Sequence, residues 1–243
     1  MQELEVKIST ADGEMNTFVS RPDRPGPFPL IVFLMDAPGK REELHDMARR
    51  LATVGYYVML PNLYYRRVQE FVIERDGREA MMGHMNSLSN AMVCKDIESL
   101  LQFAETDVAC DARQFGAVGY CMSGPFAFAA AAHFPDRLVA SASLHGVRLF
   151  VETEHSPHRQ AHAITGEMYF GCAESDEWAP PEMITQLDTY LSETDLRYTI
   201  EWYPQTEHGF VFPTRDAKYH KGAAERHWER LFDLYRRNGL VPA

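Results

Sequence analysis

The sequence lacks several features that mark specialised classes of protein. The four cysteines form no CxxC pair and show no regular spacing. The longest apolar runs have about half a dozen residues, whereas a helix needs ~20 to span a bilayer. The first residues, from Met1 to Glu5, are acidic and do not show the basic and then apolar pattern of a signal peptide. We therefore expect a cytoplasmic protein with reduced thiols and no membrane partner.

Positive charge is also scarce. The chain has 24 Lys and Arg residues against 35 Asp and Glu residues, which gives a formal net charge of −11. A nucleic-acid backbone requires clustered basic side chains, so this balance argues against nucleic acid as the main partner. Internal repeats, linkers and low-complexity segments are missing as well. The 243 residues are enough for one large core, and we predict a single domain over residues 1–243.

Strand and helix patterns alternate along most of the chain. Two weakly alternating segments, Glu3–Thr10 and Met15–Ser20, flank an Asp-Gly turn signal and predict an antiparallel hairpin. From residue 30 onward, short apolar runs alternate with segments of helical periodicity. This order predicts an α/β fold in which helices cover both faces of a mostly parallel central sheet. The pattern is least clear in Tyr64–Asn90, for which a helix and loops over the site are one interpretation.

The segment Val118–Gly124 is the most informative part of the sequence. It lies between an apolar run and an alanine-rich run, which indicates a strand, a sharp turn and a helix. At a nucleophile elbow the residues two before and two after the nucleophile must be small. Gly119 and Ser123 satisfy this for Cys121, whereas Ser123 as nucleophile would have the bulkier Cys121 and Pro125 at these positions. Cys121 is therefore the predicted nucleophile, and a merely buried cysteine is the alternative.

Two further residues complete a catalytic pattern. Asp176 follows the next strand but one after Cys121, and His208 follows the last predicted strand. Nucleophile, acid and histidine occur in this order in α/β-hydrolases. His208 would act as general base, and Asp176 would fix its tautomer. Alone, Asp176 is also explained as a helix cap near Pro180, and His208 as a surface loop residue.

These motifs together resemble the dienelactone hydrolase family of α/β-hydrolases. The resemblance rests on the elbow Gly119–Gly124, on Asp176 and on His208-Gly209-Phe210. It is supported by Arg50-Leu51-Ala52, Gly55-Tyr56, Pro61-Asn62-Leu63-Tyr64 and Ala223-Ala224-Glu225-Arg226. It implies an α/β-hydrolase fold and cleavage of a small-molecule lactone or carboxylic ester through an acyl-thiol intermediate, without a metal or cofactor. The family's elbow usually ends Gly-Gly, where this chain has Ser123-Gly124.

The resemblance also implies supporting roles for residues outside the triad. Asp36 stands where the family has a carboxylate, usually glutamate, that holds the thiol in its resting state. The oxyanion hole would use the backbone N–H groups of Met122 and Ala37, because Pro38 has none.

The substrate pocket departs from the family pattern. Family members that act on a muconate-type lactone have an arginine four residues after the catalytic histidine, where this chain has Phe212, with Arg215 three residues further on. His145 stands at a strand end where the family often has an aromatic residue. The predicted pocket residues are therefore His145, Tyr64 and Phe212. Other candidates for an anion contact are Arg66 and Arg78, for which a solvated surface position is the alternative.

Three alternatives remain at this point. His155, His158 and His162 have the spacing of metal ligands on a helix, but the polar context and Pro157 favour a loop, and we predict no metal site. A thioesterase, or a non-catalytic small-molecule binding protein that retains the hydrolase fold, would share the same elbow. Monomer and homodimer are both compatible with the sequence.

Overall fold

Eight strands form one continuous sheet in the computed structural model, which describes residues 1–215 and 217–242. The strands are β1 (Gln2–Thr10), β2 (Gly13–Arg21), β3 (Phe28–Leu34), β4 (Tyr57–Pro61), β5 (Cys110–Tyr120), β6 (Leu138–Leu144), β7 (Glu167–Ser175) and β8 (Arg197–Glu207). Their order across the sheet is β1-β2-β4-β3-β5-β6-β7-β8. β2 pairs antiparallel with β1 and β4, and the other described pairings are parallel. The predicted mostly parallel sheet with an N-terminal hairpin is confirmed.

Six α-helices cover this sheet within the described residues. They are α1 (Glu42–Val54), α2 (Ile73–Met85), α3 (Asn90–Ala104), α4 (Gly124–His133), α5 (Pro181–Leu191) and α6 (Lys221–Arg237). A side chain at Gly119 would point at Ala127 of α4, and one at Gly116 would point at Tyr235 of α6. Because successive strand residues point to opposite faces, α4 and α6 lie on opposite sides of β5.

The burial of β3 shows why the central strands are apolar without alternation. Residues 30–34 are completely buried, as expected for a parallel strand that is covered on both faces. α1, by contrast, buries a single stripe at helical spacing: Leu44, Met47, Ala48, Leu51 and Ala52. Burying each larger side chain contributes on the order of 1.5–3 kcal/mol to stability.

The last strand is longer than the sequence predicts. The sequence pattern predicts a strand over Tyr198–Tyr203 and a loop over Pro204–Pro213, but β8 continues to Glu207. Proline lacks an N–H group and is tolerated here because β8 lies at the edge of the sheet. The register between β7 and β8 shifts near this point, and Ser175 then pairs with Glu207. The residues that follow these two partners are Asp176 and His208, so this pairing brings them side by side.

The helices and the extent of the domain bear on two further predictions. No helix in residues 1–215 and 217–242 is long and apolar enough to cross a membrane. The predicted single domain over residues 1–243 includes Asp216 and Ala243, which lie outside the described residues, and it stays a prediction.

Candidate active site

The elbow is a tight connection between β5 and α4. Cys121 has a φ of 54°, in the left-handed region that residues with a side chain rarely adopt. It begins a single 3-10 turn that passes directly into α4. A Cβ atom on Gly119 would lie 2.0 Å from the carbonyl oxygen of Ser123. A Cβ atom on Gly124 would lie 2.5 Å from Cα of Gly146. Both glycines therefore permit close backbone approaches that fix the strained residue between them.

Gly119→Ala is expected to destabilise the protein by about 1–3 kcal/mol or more, because the added methyl group meets backbone that must shift. The matched control is Gly83→Ala in α2, where a Cβ would meet nothing within 4 Å. That control is expected to be neutral or stabilising by up to about 1 kcal/mol. Urea unfolding of both variants measures the difference. Equal stability of the two variants would contradict the close approach at Gly119.

Ser123, the rival nucleophile, faces away from the cavity. It is completely buried, and its hydroxyl donates a hydrogen bond to the carbonyl of Met35. This bond joins the elbow to the segment that follows β3. Cys121, in contrast, is partly exposed and lines the largest of the cavities described here. The elbow therefore presents the thiol and not the hydroxyl.

Asp176 and His208 form a buried hydrogen-bonded pair. His208 Nδ1 lies 2.8 Å from Asp176 Oδ2. The other carboxylate oxygen, Oδ1, accepts the backbone N–H groups of Trp178 at 2.9 Å and Ala179 at 3.0 Å. Asp176 thus caps the turn before α5 and holds the imidazole with its second oxygen. It does not cap α5 itself, whose N-cap position is Pro180 without a side-chain hydrogen bond.

The protonation of His208 is set by its two neighbours. Burial lowers the pKa of His208, but hydrogen bonds with Asp176 and Cys121, together with their charges, outweigh it and raise the pKa to about 9. Nδ1 is taken by Asp176, so Nε2 is the nitrogen left for the thiol. His208 is thus bonded to Asp176 and has its pKa raised by Cys121, and Cys121 and His208 line the same cavity.

His145 packs against His208 and lies outside the described wall of the cavity. Its ring is buried, with its centroid 4.8 Å from that of His208, in an edge-to-face arrangement. Neither ring nitrogen has a hydrogen-bond partner among the described residues. Burial, and then the charges of His208 and Arg215, hold the pKa of His145 well below its ordinary value. His145 therefore acts as a neutral ring that packs on the imidazole of His208.

Tyr64 also lies outside the cavity wall, in a different supporting position. Its hydroxyl donates to the carbonyl of Ala37 at 2.7 Å and lies 3.2 Å from Sδ of Met122. Ala37 and Met122 are the two residues predicted to form the oxyanion hole. The phenol of Tyr64 thus fixes the relative position of these two residues. No local sequence pattern indicates this role, because Tyr64 is distant from both residues in the chain.

Asp36 is completely buried, and two arginines bind its carboxylate. Arg41 Nη1 lies 2.5 Å from Oδ1, and Arg215 Nη2 lies 2.6 Å from Oδ2. Burial lowers the pKa of Arg41, but the charges of Asp36 and Glu43 and hydrogen bonds with them outweigh it and raise the pKa. The carboxylate is thus directed at guanidinium groups, and a direct effect of Asp36 on the thiol stays a prediction.

The cavity that contains Cys121 and His208 has a volume of about 630 Å³, within the range of small-molecule sites. Its described lining is mostly apolar and otherwise basic: Ala37, Pro38, Ile73, Arg78, Met81, Met82, Met85, Cys121, Val147, Arg148, Trp178, His208, Arg215, Ala217 and Lys218. Five of these belong to α2, so the segment that was hardest to interpret from sequence forms one wall. The three methionines could not be assigned to the cavity from sequence, because their spacing also fits an ordinary buried helix face.

The predicted basic residues are separated by the fold. Arg66 is bound by Asp12 and Asp96 and is not among the lining residues, whereas Arg78 and Arg215 line the cavity. Phe212 is completely buried, with the guanidinium of Arg215 4.5 Å from its ring centroid. Arg215 therefore reaches the cavity over the apolar residue that stands at the family's arginine position.

The three histidines with metal-like spacing do not form a site. His158 is buried, stacks on Phe150 and shares a hydrogen bond with Ser156. His155 and His162 are exposed. Across residues 1–215 and 217–242, no group of three or more His, Cys, Asp or Glu side chains is placed to hold a metal ion.

Comparison with known proteins places this arrangement in a family. The family model described as "Dienelactone hydrolase family" matches residues 15–238. A protein of Methylorubrum extorquens, provisionally named a carboxymethylenebutenolidase, is 26% identical over 246 residues, covering 98% of this chain and 81% of that one. The carboxymethylenebutenolidase of Rhodococcus opacus is 26% identical over 215 residues, covering 85% of this chain and 80% of that one.

A solved structure supports the same fold. The crystal structure of a provisionally named dienelactone hydrolase from Klebsiella pneumoniae has a TM-score of 0.88 against this chain, at 24% identity. The match covers 97% of this chain and 98% of that one. The α/β-hydrolase fold that the resemblance implied is therefore confirmed. The chain belongs to the dienelactone hydrolase family.

Proposed function

We propose that the protein hydrolyses a lactone or carboxylic ester with Cys121 as nucleophile, His208 as general base and acid, and Asp176 as the orienting carboxylate. One observation carries this proposal. The imidazole of His208 is held by Asp176 at 2.8 Å through Nδ1 and interacts with the thiol of Cys121, and the thiol and the imidazole face the same cavity. A nucleophile, a base and an orienter in contact are what acyl transfer requires.

In the first half of the reaction, His208 accepts the thiol proton and the Cys121 thiolate attacks the carbonyl carbon. A C–S bond forms and the carbonyl oxygen becomes an oxyanion. The backbone N–H groups of Ala37 and Met122 would donate hydrogen bonds to it, each contributing about 3 kcal/mol to transition-state stabilisation. Tyr64 positions both residues. The C–O bond then breaks, and the imidazolium gives its proton to the leaving alkoxide, which leaves an acyl-thiol intermediate.

Water completes the cycle. His208 accepts a proton from a water molecule, whose oxygen attacks the acyl carbon, and the C–S bond breaks. The product is a carboxylic acid, and the imidazolium of His208 returns its proton to the thiolate of Cys121, which regenerates the thiol. In a lactone the released hydroxyl group stays attached to the acyl chain, so a single ring-opened product leaves the site.

The cavity favours a substrate with an anionic group, although the whole chain carries a net charge of −11. None of its described lining residues is Asp or Glu. Arg78 has no hydrogen bond or ion pair with the described residues, and its guanidinium lies 5.8 Å from the Trp178 ring. Arg215 is neutralised by Asp36. Arg78 is therefore a lining cation that no described carboxylate neutralises, and it is available to a substrate carboxylate.

Arg78→Gln is expected to raise KM for an ester that carries a carboxylate by at least about tenfold, since a hydrogen bond to a charged group is worth about 1.5–3 kcal/mol. A neutral ester of the same size should be affected much less. Arg75→Gln is the matched control, because Arg75 is exposed on the same helix and does not belong to the described cavity wall. Steady-state kinetics on both esters test this. Equal KM changes for the charged and neutral esters would rule out the anion contact.

The proposed function is tested by a turnover screen over lactones, aryl esters and thioesters, combined with intact-protein mass spectrometry. We expect ester or lactone turnover and, after rapid acid quenching, an acyl adduct on the peptide that contains Cys121. Turnover of thioesters alone would favour the thioesterase alternative. Tight binding of small acids without any turnover would favour the binding-protein alternative.

A further inference from the structure

A second, smaller cavity adjoins the active-site cavity. Its volume is about 210 Å³, and Met85, Val147 and Arg148 belong to the walls of both cavities. The remainder of its described lining is Leu88, Ser89, Asn90, Met122, Pro125, Phe126, Val151, Thr153, His155, Ser156 and Pro157. A pocket for a complete small molecule usually has about 300–1,000 Å³. The smaller cavity is therefore suited to one arm of a molecule whose remainder occupies the active-site cavity.

The smaller cavity begins beside the reacting centre. Met122, which lines it, follows Cys121 directly in the elbow. Val147, in the shared wall, donates its backbone N–H to the carbonyl of Cys121 at 3.1 Å. A group bound to the thiol thus lies at the junction of the two cavities, and an ester contains two arms that diverge from such a point.

The chemistry of the smaller cavity favours an apolar arm, because its polar side chains are largely engaged within the protein. Ser89 Oγ accepts the N–H of Met92, and Asn90 Nδ2 donates to the carbonyl of His155. Ser156 Oγ accepts the N–H of Val151. Most of the other lining atoms belong to aliphatic, aromatic or thioether side chains, and no described lining residue is acidic.

We propose that the smaller cavity is a second substrate subsite, which binds a short apolar arm of the ester while the other arm occupies the larger cavity. This inference rests on the proposed function, and it adds the substrate class: an ester extended on both sides of the scissile bond. Burial of apolar groups in the subsite should raise kcat/KM about fourfold for each added methylene until the cavity is full.

The test uses two series of esters, one lengthened on the acyl side and the other on the alcohol side. Val151→Trp fills the smaller cavity from a loop position, and Thr153→Trp, at an exposed lining position, is a second blocking variant. Glu152→Trp is the matched control, because Glu152 is exposed between them and does not belong to the described lining. In the series whose lengthened arm enters the smaller cavity, the ratio of kcat/KM for the butyl and methyl compounds should fall at least tenfold below the wild-type ratio in a blocking variant. In the control, this ratio should stay within twofold of the wild-type ratio.

An unchanged ratio in both folded blocking variants would overturn the subsite, as would an equal fall in the Glu152→Trp control. Failure of the proposed function is detected separately. Isothermal titration of the Cys121→Ala protein with the methyl and butyl esters measures the same selectivity as a ratio of dissociation constants, without turnover. The blocking substitutions are combined with Cys121→Ala for this measurement. If the wild type hydrolyses no ester but the ratio of dissociation constants falls in the combined variants, the subsite stands and the proposed reaction does not.

Discussion

Cys121→Ala is expected to lower kcat for ester hydrolysis by at least about 10⁴-fold, because loss of a catalytic nucleophile commonly costs 10⁴–10⁶. The methyl side chain of alanine cannot form the C–S bond, and the remaining groups supply only binding and oxyanion stabilisation. In the wild type, iodoacetamide should inactivate the enzyme by alkylating this thiol, and substrate should protect it. Stopped-flow or steady-state assays and peptide mass mapping measure the two effects.

The control for this substitution is Cys110→Ala. Cys110 is also a free, partly exposed cysteine, but it lies at the start of β5 and outside the described lining of the active-site cavity. Burial, and then the charges of Asp107 and Asp111, raise the pKa of the Cys110 thiol, so we expect it to react slowly. Cys110→Ala should keep normal turnover. Normal turnover by Cys121→Ala would refute the proposed mechanism.

Asp176→Asn is expected to lower kcat/KM by about 10²–10⁴-fold with little change in overall structure. The amide can still fill the space, but it does not carry the charge that stabilises the imidazolium and selects the tautomer of His208. Asp188→Asn, an exposed change on α5, is the matched control and should leave activity unchanged. Kinetics and circular dichroism of the two variants separate catalysis from folding. Near-wild-type activity of Asp176→Asn would leave Asp176 as a turn cap alone.

The same substitution has a defined effect on pH dependence. The pKa of His208 is raised to about 9, so the wild type retains the imidazolium as the pH rises from 6.5 and loses it near pH 9. Without the charge of Asp176, burial lowers this pKa, and the imidazolium is lost at lower pH. A thiolate is the form of cysteine that reacts, and a neighbouring imidazolium favours it. The rate of Cys121 alkylation should therefore decrease at pH 7–8 in Asp176→Asn. An identical pH profile in both proteins would contradict the coupling.

The proposed triad could be assembled from sequence because its signals are local. Gly119 and Ser123 are the small residues that the turn around Cys121 requires, and each lies two residues from it in the chain. Asp176 and His208 each follow a strand, and parallel strands end at the same edge of a sheet. The pairing of Ser175 with Glu207 turns this general expectation into contact, and the unexpected extension of β8 past Pro204 makes that pairing possible.

The surroundings of the reaction centre depend on contacts that no local pattern records. The ion pair between Asp36 and Arg215 joins residues 179 positions apart. It holds a guanidinium in the cavity wall, although Phe212 stands at the position where the family has its arginine. The sequence predicts His145 in the pocket from its place at a strand end and Tyr64 as a candidate for an anion contact, but both are buried outside the described cavity wall. Which turn of α2 faces the cavity also depends on its packing, so Arg78 could not be separated by sequence from Arg66, which Asp12 and Asp96 bind outside the described cavity wall.

The two outermost strands limit how copies of this protein can associate. An open sheet edge is a template for another strand, and natural proteins protect such edges with charges and proline. β1 exposes Glu3, Glu5 and Lys7 along its length. β8 contains Pro204, followed by Gln205 at a φ of 58°, which interrupts a regular ladder. Self-association by extending the sheet is thus disfavoured at both ends, and a dimer of this chain would have to form through its helices and loops.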